Sequence, residues 1–291
     1  MWKAVKSLRC DGYCIDAVRN KGYCLSVETD ILSLQGIQKY LDPICSNMRI
    51  EVYPTVTSTN IIAREKAMNG MPEGYVIFAN TQTEGRGRKD RPFFSPCGTG
   101  IYMSILFRPV QYSLQEAIKL TSMTAVAVCE AIEAVSGAKA KIKWVNDVYV
   151  AGKKVCGILT EASCGLEDGR LEYVVVGIGI NVTPPNEEFP NELKNVAGTI
   201  FGGTQADGKN RLAAEVLNKS IAYYNILNES NYIHEYRCRS IVLGKEISII
   251  SSDGEKTAIA LDVDSDCRLL VKYKNGMVEK LSSGEISIKF S

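Results

Sequence analysis

Runs of apolar and β-branched residues recur in the middle of the chain and predict the strands of a sheet. The clearest are "GYVIFAN" at 74–80, "GIYMSILF" at 100–107, "AKIKWV" at 140–145, "KKVCGILTEA" at 153–162 and "LEYVVVGIGINV" at 171–182. Several lack a polar residue at every second position, which is typical of strands buried on both faces. We therefore predict a sheet with helices packed against it.

Two longer stretches predict these helices. The first begins at Ser113, where Glu116 completes a capping-box pattern, and it ends at Gly137, a typical helix stop. The second covers residues 210–227, where apolar residues recur at helical spacing. Strands and helices together indicate a main domain of mixed α and β structure.

The pattern changes after residue 240, where short strands replace the long helices. The strands recur at intervals of roughly ten residues and are separated by Asp253-Gly254 and Asn275-Gly276, pairs that favour tight hairpin turns. This pattern predicts a small all-β barrel.

Residues 1–26 predict a helix followed by a hairpin. Trp2, Val5 and Leu8 share one helical face, and the later residues alternate around a turn at 20–22. The segment has five basic and two acidic residues, which suits contact with phosphates. One interpretation is a DNA-recognition helix with its wing, and the other is a helix and hairpin that only cap the next domain.

Composition and charge narrow the class of protein. The 291 residues are 45% hydrophobic and 23% charged with a formal net charge of +1, as expected for an ordinary globular protein. No apolar run approaches the roughly 18–20 residues of a membrane helix and no signal-peptide pattern is present, so we expect a cytoplasmic protein without membrane contact. Ten cysteines without a C-x-x-C pair and a single histidine, His234, argue against a zinc site and against a histidine-activated nucleophile. An enzyme of this composition would work by positioning and electrostatics.

The strongest local signal is the segment "TQTEGRGRKDRPFFSP" at 81–96. It carries Arg86, Arg88, Lys89 and Arg91, and two glycines alternate with the first two arginines. Such a loop can bring guanidinium and backbone N–H groups onto an anion, and the alternative is a solvated charged turn. Because the whole chain is near neutral, a basic function must be local.

Other polar groups add candidate ligands. "TSTN" at 57–60 and Gln82 offer hydroxyl and amide groups that could recognise a small neutral head group. A second cluster suits a nucleotide and its phosphates, with a carboxylate left for a metal ion. It consists of Lys143, Asn146, Asp147 and Lys154. The glycines of "GIGINV" at 177–182 could let the backbone approach a ligand.

Taken together, these motifs resemble the successive signatures of biotin–protein ligases, including members that double as biotin operon repressors. The motifs are "TSTN", the glycine–arginine loop, "KWVNDVYVAGKKVCGILTEA", "VVVGIGINV" and "GEIS", in this order over essentially the whole chain. The resemblance implies an α+β fold with a central mixed-sheet catalytic domain of the biotin/lipoate ligase type, a small C-terminal SH3-like β-barrel and a remnant of an N-terminal winged helix. The implied ranges are 1–26 for a partial winged helix-turn-helix, 27–46 for a linker, 47–237 for the catalytic domain and 238–291 for the barrel.

The resemblance also implies a function. Such enzymes join biotin to ATP with Mg²⁺ as biotinyl-5′-adenylate and then transfer biotin to a lysine of a biotin carboxyl carrier protein. The first step brings a carboxylate to a phosphate, so it needs cations. A lipoate-type acyl ligase and a biotin-responsive repressor with little catalysis are the alternatives. A homodimer is possible, and DNA should bind only weakly because the winged helix is incomplete.

Site residues follow from the same resemblance. The catalytic residues would be Arg86, Arg88 and Lys154. Biotin would be bound by Ser58, Thr59, Asn60, Gln82, Arg86, Gly87, Arg88 and Lys154. The nucleotide would be bound by Lys143, Trp144, Asn146, Asp147 and Asn181, with Asp147 also holding Mg²⁺. Two positions depart from the family pattern, since Asp90 replaces a usual glycine and Val145 a usual proline.

Overall fold

The N-terminal part contains the predicted helix and hairpin. The computed structural model describes residues 2–10, 13–19, 21–26, 29–165, 170–185, 188–229, 231–251 and 254–288. Helix α1 (Trp2–Cys10) precedes strands β1 (Ile15–Val18) and β2 (Gly22–Leu25), which pair antiparallel. Asn20 of the predicted turn lies outside the described residues. The interpretation of these elements as a recognition helix and wing stays a prediction.

The range 27–46, predicted as a linker, contains helix α2 (Leu34–Gln38) and packs against the rest of the chain. Ile37 is fully buried. The side chain of Asn210 accepts a 3.0 Å hydrogen bond from the backbone N–H of Ser33. This segment is therefore part of the folded body rather than a bare connection.

The centre of the fold is a mixed seven-stranded sheet. The elements in chain order are β3 (Arg49–Tyr53), α3 (Thr59–Met68), β4 (Tyr75–Ala79), β5 (Gly100–Phe107), α4 (Ala117–Ser136), β6 (Ala140–Lys143), β7 (Asp147–Val150), β8 (Lys153–Cys164) and β9 (Leu171–Asn181). The strand order is β3-β4-β5-β9-β8-β7-β6. Only β3 and β4 run parallel, and the other neighbouring pairs are antiparallel. The sheet agrees with the predicted mixed-sheet domain.

Helices cover both faces of this sheet. Two further helices follow it, α5 (Gly208–Asn225) and α6 (Tyr232–Arg239). Helices α4 and α5 pack on one face and α3 packs on the other, so every residue of β4 and β5 is buried. The predicted capping box of Ser113 and Glu116 is present, and α4 ends at Gly137 with φ +71°. Among the described residues, every helix is too short or too polar to span a bilayer.

The C-terminal part is an antiparallel five-stranded sheet. Its strands are β10 (Glu246–Ser251), β11 (Gly254–Val263), β12 (Leu269–Tyr273), β13 (Val278–Leu281) and β14 (Glu285–Ile288). They follow the order β13-β12-β11-β10-β14. Gly276 forms the second predicted turn at φ +86°, whereas Asp253 of the first lies outside the described residues. The predicted boundary at 237/238 falls inside α6, so we propose a boundary after Arg239.

Candidate functional site

Two adjoining cavities lie beside strands β8 and β9 of the central sheet. The larger has a volume of about 340 Å³ and the smaller of about 30 Å³. They share Arg86, Phe93, Gly157 and Leu159 as lining residues. Every predicted site residue lines one of them. Ser58, Thr59, Asn60, Gln82 and Arg86 line the smaller cavity, and Arg86, Gly87, Arg88, Lys143, Trp144, Asn146, Asp147, Lys154 and Asn181 line the larger.

The smaller cavity is built around the amide of Gln82. Its Oε1 accepts the backbone N–H of Thr59 at 2.9 Å, and its Nε2 donates to Ser95 Oγ at 3.0 Å. Ser95 Oγ in turn donates to the carbonyl of Phe93 at 2.9 Å. A backbone donor at one end and a backbone acceptor at the other therefore fix the orientation of this amide. Ser58 is buried at the start of α3, and its hydroxyl has no hydrogen-bond partner among the described residues.

Two glycines of β9, Gly177 and Gly179, line the smaller cavity and also make room for neighbouring side chains. A Cβ at Gly177 would collide with the amide of Asn60. A Cβ at Gly179 would lie 2.5 Å from the ring of Phe93. These glycines let two lining side chains lie against the backbone of the sheet, and the approach of this backbone to a ligand stays a prediction.

The glycine–arginine loop forms a short hairpin over the cavities. The backbone N–H of Gly87 donates to the carbonyl of Arg91 at 2.7 Å, and that of Phe93 donates to Gly85 at 2.8 Å. At the tip, Lys89 and Asp90 have φ values of +56° and +55°. This conformation favours glycine, and Asp tolerates it better than most residues. The departure at Asp90 therefore keeps the turn at some conformational cost.

The two arginines of the loop contact different partners. Arg88 Nη1 donates to Asn146 Oδ1 at 3.4 Å, which links the loop to the second predicted cluster. Asn146 is held by two backbone contacts with Ile158, one of which is its own Nδ2 donating at 2.8 Å. Arg86 Nη2 lies 3.7 Å from Glu84 Oε2, and both side chains are half-exposed. Such an exposed pair is weak, so Arg86 can exchange this partner for a ligand.

Lys154 and Asp147 form an ion pair in the larger cavity. Lys154 Nζ lies 2.6 Å from Asp147 Oδ1, and both side chains are partly buried. They stand on the paired strands β7 and β8, beside a register shift between Val148 and Tyr149. Burial raises the pKa of Tyr149 to about 12, so this neighbour is a neutral hydroxyl at ordinary pH. Lys154 and Asp147 neutralise each other in this structure, and a ligand that separates them can bind to the cation and the anion.

The C-terminal sheet contributes part of the cavity wall. Gly284 and Ile286 line the larger cavity beside Trp144. The indole Nε1 of Trp144 donates to the carbonyl of Cys267 at 3.0 Å, and the Trp144–Val145 peptide bond is cis. Tyr236 Oη of α6 donates to the carbonyl of Val145 at 3.1 Å. The predicted nucleotide residues are thus supported by elements far along the chain.

Several lining residues were missed by the sequence analysis. They are Tyr149, Phe189, Leu193, Val196, Ala197, Gly284 and Ile286. The backbone N–H of Lys154 donates to Val196 at 2.8 Å, and the ring of Phe189 packs edge-on against Phe94. Residues 189–197 lie in and just after the Pro/Asn-rich stretch 182–195 and have no periodic pattern, so only the folded chain brings them to the site. Among the described residues, no three His, Cys, Asp or Glu side chains are grouped so that they could hold a metal ion.

Comparisons with known proteins agree with the motifs. Residues 52–181 match the Biotin/lipoate A/B protein ligase family, and residues 242–289 match the Biotin protein ligase C terminal domain. The bifunctional ligase/repressor BirA of Bacillus spizizenii is 34% identical over 99% of this chain and 89% of its own length. BirA of Escherichia coli is 26% identical over 99% of this chain and 87% of its own length.

Solved structures show the same likeness. Biotin protein ligase from Aquifex aeolicus, in complex with biotin and ATP, superposes with a TM-score of 0.68 at 27% identity. The match covers 84% of this chain and 99% of that protein. The chain therefore belongs to the biotin protein ligases and is an enzyme of this kind.

Proposed function

We propose that this protein activates biotin with ATP as biotinyl-5′-adenylate and transfers biotin to a lysine of a biotin carboxyl carrier protein. One observation carries the proposal: the two cavities adjoin each other, with four lining residues in common, and the two ends of the pair differ in chemistry. The smaller cavity presents neutral hydroxyl and amide groups such as Ser58 and Gln82, whereas the larger one presents Arg88 and Lys154. The first end suits the neutral ureido ring of biotin, and the second suits its carboxylate and the phosphates of ATP.

The head group of biotin would occupy the smaller cavity. Ser58 offers a hydroxyl without a partner in the part of the chain that the structure describes, and Gln82 offers a second Nε2 hydrogen. Thr59, Asn60 and the backbone of 86–88 complete the proposed biotin-binding set. The smaller cavity is narrow, at about 30 Å³, and Phe93 lines both cavities, so we propose that Phe93 and its loop shift when biotin binds.

The cations of the larger cavity would lower the barrier of the first step. That step brings the biotin carboxylate to the α-phosphate, and two anions repel each other strongly in a site with little water. Arg86, Arg88 and Lys154 can offset this charge as it develops. Lys154 would exchange Asp147 for the biotin carboxylate and later for the adenylate phosphate.

The nucleotide would bind beside Trp144. Lys143, Asn146, Asp147 and Asn181 complete the proposed set. Mg²⁺ in nucleotide sites usually takes one or two carboxylates and completes its shell with phosphates and water. Asp147, partly buried at the cavity and released by Lys154, fits that role together with the amide of Asn146. When bound, Mg²⁺ supplies charge neutralisation on the triphosphate.

A direct assay tests this function. The protein is mixed with ATP, Mg²⁺ and biotin, and pyrophosphate release is measured; a biotin carboxyl carrier domain is then added and probed for biotin. We expect both products. Parallel adenylation with lipoate tests the alternative acyl ligase, and activity with lipoate but not biotin would refute the proposal.

Two partner interactions belong to the same proposal. A homodimer is tested by light scattering of the purified chain.

For DNA, α1 exposes Trp2, and Val5 is the one buried side chain among residues 2–9 of this helix. We infer that so little packing does not hold the helix at the fixed angle that sequence-specific binding needs. We propose weak affinity that falls steeply with salt and does not depend on sequence. Tight preference for one duplex at about 150 mM salt would contradict it.

A further inference from the structure

Glu161 is a carboxylate of β8 that points at the base of the smaller cavity. Its Oε2 accepts a hydrogen bond from Asn60 Nδ2 at 2.7 Å, and its Oε1 accepts one from Arg64 Nη1 at 3.1 Å. Asn60 Nδ2 also faces the carbonyl of Leu159 at 3.3 Å. Glu161 does not line either cavity, so any effect on a ligand must pass through Asn60.

These contacts fix the direction of the Asn60 amide. A carboxylate and a carbonyl only accept hydrogen bonds, so the NH₂ group of Asn60 must face Glu161 and Leu159. Its Oδ1 then faces the opposite side, where Ser104 Oγ lies at 2.6 Å. The assignment of oxygen and nitrogen follows from the chemistry of the partners, because a flipped amide would set an oxygen against two acceptors.

The orientation of the Asn60 amide determines the direction of hydrogen bonding at two hydroxyl groups, those of Ser104 and Thr59. Ser104 Oγ also lies 2.8 Å from Thr59 Oγ1, but its single hydrogen is required by the amide oxygen of Asn60, which cannot donate. The hydrogen of the Thr59 hydroxyl is then used within the protein, toward Ser104 or toward Gln82 Oε1 at 3.2 Å. The Thr59 oxygen keeps its lone pairs for the cavity. This wall of the cavity therefore accepts hydrogen bonds, while Gln82 Nε2 donates.

We propose that Glu161 is a positioning residue that sets this pattern of donors and acceptors and so makes the cavity select a ring that donates N–H toward Thr59. A cyclic urea has this property, because its two N–H groups donate and its carbonyl accepts. The inference rests on the proposed function, since it places the ureido ring of biotin in the smaller cavity. Without Glu161, Asn60 can turn over, and Thr59 can then donate as well as accept.

The test compares Glu161→Ala and Glu161→Gln with Glu172→Gln as a matched control. Glu172 is an exposed carboxylate of the neighbouring strand β9 that accepts from Ser163 Oγ at 3.0 Å. The substrates are biotin, ATP and a biotin analogue in which a ring oxygen replaces one ureido N–H. Pyrophosphate release gives KM and kcat for each, and the wild type run in parallel shows whether the proposed function itself holds.

For Glu161→Ala we expect the KM for biotin to rise about tenfold, the scale of one hydrogen bond, with the KM for ATP within about twofold. The preference for biotin over the carbamate analogue should fall about fivefold or more. Glu161→Gln still offers an acceptor to Asn60 and should keep most of the preference, and the control should match the wild type. An equal rise of both KM values, or an unchanged preference for biotin, would overturn the proposal.

Ser104→Ala provides an independent variant if Glu161→Ala does not fold. It breaks the same series of hydrogen bonds from inside the sheet, so it should show the same loss of preference. Because both residues act through one series, the double variant should lose no more preference than Ser104→Ala alone. The proposal would also be overturned if Ser104→Ala kept the preference for biotin over the carbamate analogue. It would equally be overturned if the losses of the two single variants added in the double variant. A wild type that releases no pyrophosphate with biotin overturns the proposed function and this inference with it.

Discussion

The indole nitrogen of Trp144 donates a 3.0 Å hydrogen bond to the backbone carbonyl of Cys267, which joins the larger cavity to the β11–β12 turn of the C-terminal sheet. The turn is preorganised, since Asp264 Oδ1 accepts the backbone N–H groups of Asp266 and Arg268. Cys267 itself is buried in a left-handed conformation with φ +61°. The C-terminal sheet thus holds in place a side chain that we propose to contact the nucleotide.

This relationship predicts a spectroscopic signal. The chain has two tryptophans, so Trp2→Phe leaves Trp144 as the sole indole. We expect titration with ATP and Mg²⁺ to change the fluorescence of this variant, because the nucleotide would enter the environment of a nearly buried ring. The Trp144→Phe variant, which keeps Trp2, serves as the control and should show no change. Saturating ATP without any change at Trp144 would contradict the proposed nucleotide site.

Lys154 is predicted to be essential for adenylate formation. Removing one well-placed donor to the charge of a transition state typically costs about 2.7–4 kcal/mol, so Lys154→Ala should release pyrophosphate about 10²–10³ times more slowly. The fold should persist, because Lys154 is partly exposed and its partner Asp147 can be solvated. Stopped-flow or coupled detection of pyrophosphate measures the rate.

The adjacent lysine provides the matched control. Lys153 Nζ donates to the carbonyl of Asn195 at 2.6 Å and does not line the cavities. Lys153→Ala should therefore keep the rate within about threefold of the wild type, with at most the small stability loss of an exposed contact. Equal losses in the two variants would mean that general damage to β8, rather than lost charge stabilisation, explains the effect.

The parts of the fold that were predicted correctly are those with a strong local signal. Strand β5 was recognised because nearly all its residues are apolar, and α4 because Ser113 and Glu116 precede it and Gly137 follows it. The packing of 27–46 was missed, because it depends on Asn210 hydrogen-bonding Ser33 at a separation of 177 residues. No local pattern encodes such a contact.

The residues of the candidate site also divide into those that a local motif predicted and those that it did not. Its predicted residues stand in compact motifs, and the folded chain brings all of them to two adjoining cavities. The missed residues include Phe189, whose Pro/Asn-rich segment carries no sign of a ligand, and Gly284, which lies in the quoted motif "GEIS" but reaches the cavity only through the fold of the C-terminal sheet. Glu161 was missed although it lies inside a quoted motif, because its role depends on facing Asn60 across the sheet.

Backbone strain at Asp90 predicts opposite effects of two substitutions. Asp90 is exposed at φ +55°, so its replacement changes mainly the backbone preference of the turn. A left-handed conformation costs an ordinary residue about 1–2 kcal/mol, and more for a β-branched one. Asp90→Gly should retain the adenylate at least as long as the wild type, whereas Asp90→Val should release it faster. Adenylate dissociation followed by rapid filtration measures this, and the same release rate in both variants would refute it.

Glu51 predicts a pH-dependent stability. Burial alone would raise the pKa of this carboxyl, but hydrogen bonds from Tyr53, Tyr75 and Lys66 outweigh burial and hold it below its usual 4.5. A lowered pKa in the folded state stabilises the protein above the unfolded pKa, and this contribution is lost as the pH falls through the folded pKa. Because about a third of the side chain is exposed, we expect a contribution of about 1 kcal/mol or less.

The measurement is urea unfolding of Glu51→Gln and the wild type at about pH 7 and about pH 3. The variant should be less stable by up to about 1 kcal/mol at the higher pH and nearly equal to the wild type at the lower one. Glu172→Gln, which changes an exposed carboxylate outside this cluster, should track the wild type at both. A deficit of Glu51→Gln that grows on acidification would show the opposite linkage.

The hairpin at 84–92 is predicted to be mobile without substrate and ordered with it. Its tip holds two residues at positive φ, and Phe93, directly after the hairpin, lines the narrow smaller cavity. We expect biotin to displace Phe93 as it enters, and closure over the adenylate would then add contacts from Arg86 and Arg88. Hydrogen exchange should show amides of 84–92 exchanging quickly in the free protein and at least about tenfold more slowly with biotin and ATP, as expected for segments ordered by a ligand. Amides in the buried middle of α4 provide the internal control and should keep their rates. If protection of 84–92 does not change while α4 also stays constant, the loop does not close over the substrate.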